Sequence, residues 1–143
     1  MKEKKKASFY RVYKGLMMGF DLPQAVFMVY MSDLMAKRDL GYDTVCSREA
    51  HMARLGIRIK TFNKCVALSE RMGLLERIPV RGRYDYVFDT EAYGRLVEIV
   101  SSTNSYAALR TFCDKVFVSE GRTVRSVTER ELEILRQSFA PYR

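Results

Sequence analysis

The sequence predicts a mainly α-helical protein carrying one small β-hairpin. Three observations predict it. An apolar run follows Asp21, two further helical stretches meet at Gly56-Ile57, and an alternating aromatic strand follows Arg81-Gly82-Arg83.

Taken in order, residues 1–8 are Lys-rich and polar and read as a disordered arm, either reaching phosphates or simply solvated. Residues 9–20, FYRVYKGLMMGF, are interrupted by Gly15 and Gly19, so a short strand or irregular lead-in is expected. Asp21-x-x-Gln24 fits a capping box, with Pro23 in the first turn of the helix that follows. Ala25 to Arg38 is apolar most of the way round, as in a central buried helix, and Gly41 offers a left-handed stop. Ser47 is the next N-cap, opening a short helix that Gly56-Ile57 breaks. A longer helix resumes near Arg58, reaches Met72 and stops at Gly73.

Leu74 to Val80 and Tyr84 to Phe88 read as two strands joined by Arg81-Gly82-Arg83, with Tyr84, Tyr86 and Phe88 on one face and Pro79 marking an edge. Helical spacing returns at Tyr93, Leu96, Val97 and Val100, and again at Leu109, Phe112, Cys113 and Val116, with a break at Ser101–Asn104. Residues 119–126 read as a loop. Thr128-x-x-Glu131 is a second capping box, opening a helix that runs to about Phe139. The expected organisation is a basic arm and lead-in over 1–20, the main domain over 21–90 and a helical extension over 91–143.

The chain has 143 residues, 48% of them hydrophobic and 29% charged, enough apolar material for one core. No stretch approaches the roughly 18 uncharged apolar residues of a membrane helix, and Arg11 and Lys14 interrupt what would be the apolar part of a secretory signal. Cys46, Cys65 and Cys113 show no metal-ligand spacing and read as reduced thiols, which implies the cytoplasm. His51 is the only histidine and is expected on the surface of the second helix, not as a general base. No phosphate-binding glycine loop, nucleophile triad or ligand cluster can be assembled, so no cofactor, no metal and no catalysis are expected.

The net charge is +8 and unevenly spread: residues 1–20 carry six bases and one acid, and residues 47–90 nine bases and five acids. Such a distribution suits a polyanion. On a helical wheel of about 100° per residue, Arg58, Cys65, Val66 and Ser69 fall within about 60° of an inward Phe62, whereas Lys60, Lys64, Ala67 and Arg71 face the opposite way and Asn63 lies on the shoulder. A major groove admits a helix with such a face. Arg81 and Arg83, flanking Gly82, suit a phosphate backbone or narrow groove.

Two helices joined by a Gly-containing turn and followed by a hairpin make a winged helix-turn-helix. Ser47, Ala53, Leu55-Gly56-Ile57, Thr61-Phe62 and Gly73-Leu74-Leu75 resemble that family, most closely the kind found in plasmid and phage replication proteins and small bacterial regulators. The resemblance covers about residues 22–90. It implies that helix 59–72 enters the major groove with Lys60, Asn63 and Lys64 facing bases. It also implies that hairpin 75–88 is the wing and that Ser47, Arg48, Arg81 and Arg83 hold phosphates. Arg58 and Arg71 complete the expected DNA-binding set. Ser69 departs from the pattern, standing where an inward Leu is usual, and Arg58 replaces a small polar cap. The expected partners are double-stranded DNA and a second copy, paired through the C-terminal helices. The alternative is a winged module that binds protein, not DNA.

Overall fold

A computed structural model describes residues 12–138. The proposed basic arm lies outside the described residues, whereas the last helix, expected to run to about Phe139, ends at Gln137 with Ser138 as its C-cap.

The chain is mainly helical with one two-stranded antiparallel sheet. Helix α1 (Lys14–Gly19) precedes α2 (Leu22–Asp39), the longest element. Helices α3 (Arg48–Leu55) and α4 (Ile59–Arg71) follow, then strands β1 (Leu75–Val80) and β2 (Arg83–Phe88). Helices α5 (Thr90–Val100) and α6 (Tyr106–Cys113) come next, the latter running on into a π-helical turn over 114–119. Helix α7 (Glu129–Gln137) closes the described chain.

The region read as strand or irregular lead-in is helical over 14–19. Glycine disfavours a helix interior by about 1 kcal/mol relative to alanine. Here it is needed for close approach: a Cβ on Gly15 would stand 2.2 Å from the Val100 carbonyl oxygen, and one on Gly19 would stand 2.8 Å from Cys113 Sγ. The capping box at Asp21 does not form. Asp21 occupies the N-cap without a side-chain cap bond, and its carboxylate is drawn to Arg110 at 2.8 Å. Gln24 instead turns inward, donating to Ser69 Oγ at 3.0 Å and ties α2 to α4. The inward Ser69 is thereby satisfied, which accounts for a serine at a core position.

Other local signals act as read. Ser47 Oγ accepts from Ala50 N, and Gly56 ends α3 in the left-handed region. Thr128 and Glu131 form the reciprocal capping box that opens α7.

A chain of edge-to-face rings runs through the centre: Phe27 of α2 against Phe62 of α4, Phe62 against Tyr86 of β2, Tyr86 against His51 of α3, and His51 against Tyr30 of α2. Centroid separations of 5.3–5.8 Å suit such pairs. The chain fixes α3, α4 and the hairpin on one side of α2. Leu96, Ile99, Leu109, Phe117 and Leu132 belong to the same buried core, so residues 91–138 pack continuously with the segments before them. Among the described residues, no helix is long and apolar enough to cross a membrane.

His51 is not a surface residue. It is 2% exposed, its Nδ1 lies 2.6 Å from the Tyr30 hydroxyl, and Cys46 Sγ lies 3.4 Å from Nε2. Burial foremost, with the nearby Arg54 charge, pushes its pKa down to about 4, so the ring is neutral at pH 7. Helical spacing puts position 51 on the inner face of α3, and two phenol and thiol partners make burial of an imidazole tolerable.

Candidate functional site

The wheel reading of α4 holds for its outer face: Lys60, Asn63, Lys64, Ala67 and Arg71 are exposed, while Phe62, Cys65, Val66 and Ser69 are buried. Arg58 departs from it. Placed on the inward side by angle, Arg58 is the exposed N-cap with extended backbone (ψ 167°), so the helical rotation does not apply to it.

The hairpin connection is shorter than expected. Val80 pairs with Arg83, leaving Arg81 and Gly82 as a two-residue turn with φ of 48° and 81°. Positive φ at both central residues is the turn whose twist matches a β-ribbon. Arg83 therefore belongs to β2, and Arg81 alone with Gly82 makes the tip.

Two grooves flank α4. The first, of about 590 Å³, lies between the start of α3, α4 and the hairpin, and brings together Ser47, Arg48, Asn63, Gly82 and Arg83. Arg77 and Tyr84 line it as well. The second, of about 460 Å³, takes Lys64 and Arg71 from α4 with Asp21, Arg110 and Asp114 from the side of α1 and α6. Asn63 and the hairpin thus share one groove, and Lys64 and Arg71 open onto its neighbour. Lys60 and Arg58 are exposed at the N-terminal end of α4, and Arg81 is exposed at the turn.

Charge pairing distinguishes these residues from most other arginines, although Lys14, Arg54, Lys115 and Arg130 likewise form no ion pair among the described residues. Arg38, Arg77, Arg95, Arg110, Arg122, Arg125 and Arg136 all contact carboxylates. Arg58, Lys60, Lys64, Arg71, Arg81 and Arg83 form no ion pair among the described residues. No acid occurs between Gly56 and Ser69. Arg48 differs: it pairs with the adjacent Glu49 at 3.0 Å, an exposed contact that an incoming anion could replace.

Arg77 and Tyr84 are the site residues that sequence reasoning missed. Tyr84 counted only as part of an aromatic strand face, yet it is 47% exposed because its position next to the turn lies beyond the core that buries Tyr86 and Phe88. The signal was the strand register, which sets Arg77 opposite Tyr86 and diagonal to Tyr84. Among the described residues, no three His, Cys, Asp or Glu side chains converge as metal ligands. No known protein family, curated protein or solved structure matches the chain.

Proposed function

We propose that the chain is a winged helix-turn-helix protein that binds double-stranded DNA, with α4 in the major groove and the β1–β2 wing on the backbone or minor groove. The observation that carries this reading is the set of unpaired cations on α4 and the hairpin tip, on a surface whose other arginines are mostly neutralised by carboxylates. Lys60, Lys64 and Asn63 are the base-facing candidates, since lysine donates to guanine O6 and N7 and asparagine matches adenine. Ser47, Arg48, Arg58, Arg71, Arg81 and Arg83 are the phosphate-facing candidates. The role fits transcriptional regulation or replication control of a mobile element, with no catalytic step. Exposed Tyr106, Val118 and Ile134 on the C-terminal half favour pairing of two copies there, which sedimentation would detect as a dimer.

Anisotropy titration of labelled duplex across salt concentrations tests the reading. About five phosphate contacts give a slope of log K against log salt of about −4 to −5. Lys60→Ala with Lys64→Ala should weaken a selected cognate site more than random duplex. Equal losses remove the base-reading role, and salt-independent or absent binding favours a protein-binding module instead.

A further inference from the structure

Resting on the DNA-binding reading, we propose that Tyr84 is a preformed stacking platform for one unpaired DNA base, seated in the groove between α3, α4 and the hairpin. The ring is surplus to the core: its strand neighbours Tyr86 and Phe88 are buried, and it is not. It is nonetheless held. The Arg77 guanidinium carbon lies 5.2 Å from the Tyr84 ring centroid. Arg77 is itself clamped by Glu70 of α4, with Nε 2.8 Å from Oε2 and Nη2 3.3 Å from Oε1. A carboxylate thus fixes the guanidinium, and the guanidinium steadies the ring.

The surroundings match a nucleotide. Asn63 offers an amide donor and acceptor to a base edge, and the unpaired Arg83 stands beside it for the phosphate. The groove's volume of about 590 Å³ admits a single nucleotide. In an intact duplex both faces of every internal base are covered by its neighbours, so an aromatic ring has no face to take. A bulged or unstacked nucleotide exposes one, and a stack on a ring is tolerant of base identity.

The consequence is a preference for duplex containing an unpaired nucleotide over fully paired duplex of the same sequence. One base on one aromatic ring makes this preference about tenfold. The test compares the full chain with Tyr84→Ala and Tyr84→Phe on two labelled DNAs, paired and singly bulged, the bulge carrying 2-aminopurine. The wild type and Tyr84→Phe should favour the bulged probe about tenfold and quench its 2-aminopurine, since the ring and not the hydroxyl is used. Tyr84→Ala should bring the affinity ratio to about one and lose the quenching. An equal affinity for both probes in the wild type, or a preference that survives in Tyr84→Ala, overturns the platform while leaving duplex binding intact. Failure of the wild type to bind either probe overturns both readings together.

Discussion

Arg38 of α2 grips Asp85 of β2 in a two-pronged ion pair, with Nη1 3.1 Å from Oδ2 and Nη2 2.8 Å from Oδ1. Thr44 accepts from the same guanidinium, from Nε at 2.9 Å and Nη2 at 2.6 Å. The pair is 30% and 16% exposed, so solvent screens it only in part. It braces the hairpin from the face opposite the ring chain, so that β2 is held against α2 from both sides. Asp85→Ala should therefore cost about 2 kcal/mol, measured by urea unfolding. Hydrogen exchange over 75–88 should quicken more than exchange in α5 or α7. Uniform quickening would show that the pair stabilises the whole fold without specifically fixing the hairpin.

The buried imidazole makes stability depend on pH. The folded His51 pKa of about 4 lies below its ordinary 6.5, so unfolding takes up a proton between those values. The neutral ring's contribution is complete above pH 6.5, falls as pH drops toward 4 and is then exhausted. The groups around it are Tyr30 and Arg38 from α2, Cys46 before α3, Arg54 on α3, and Asp85 and Tyr86 from β2. Asp85 favours the protonated ring, while Arg54 and Arg38 oppose it. The wild type should lose up to about 3 kcal/mol more than His51→Phe between pH 7 and pH 4.5. Matching pH profiles for the two proteins would refute this.

Much of this arrangement was legible from local signals. The Ser47 and Thr128 caps, the left-handed glycines 41, 56 and 73, and the two-faced pattern of α4 are set by neighbouring residues, and local rules captured them. What escaped depends on partners distant in the chain. Gln24 abandons a cap because Ser69, forty-five positions on, needs a donor inside the core. His51 is buried because Tyr30 and Tyr86 converge on it. Gly15 and Gly19 look like helix breakers until α5 and α6 come within contact of them. For the site, the cations were readable, but Tyr84 as a groove-lining ring required knowing where the core ends.

The three thiols should react in a fixed order. Burial pushes Cys65 up to about 11 and Cys113 up to about 12, and both are enclosed. Cys46 is only part-buried and lies 3.4 Å from both His51 Nε2 and Arg54 Nη1. Alkylation of the native protein followed by mass spectrometry should label Cys46 alone, with Cys65 and Cys113 following only on unfolding. Early labelling of Cys113 would mean that α1 and α6 separate readily.

Two glycine-to-alanine substitutions should have opposite signs. Gly15→Ala drives a methyl into backbone, the Val100 carbonyl, and should destabilise by about 1–3 kcal/mol. A Cβ on Gly94, within α5, would meet nothing within 4 Å among the described residues, so Gly94→Ala should stabilise by about 1 kcal/mol. Thermal melting of both variants decides the matter; a stabilised Gly15→Ala would mean that α1 does not pack against α5 as described.

Arg81 sets stability against the proposed function. At φ 48° it occupies backbone that costs a residue with a Cβ roughly 1 kcal/mol, and asparagine tolerates that region far better. No ion pair among the described residues compensates for the strain, so nothing in the fold calls for arginine at this tip. Strain kept at an exposed position is understandable when the side chain serves a partner. Arg81→Asn should therefore raise the unfolding free energy by about 0.5–1 kcal/mol while weakening duplex binding and lowering its salt slope by about one. A variant that gains stability and binds duplex with the wild-type slope would remove Arg81 from the proposed phosphate contacts and leave the hairpin's part in them to Arg83.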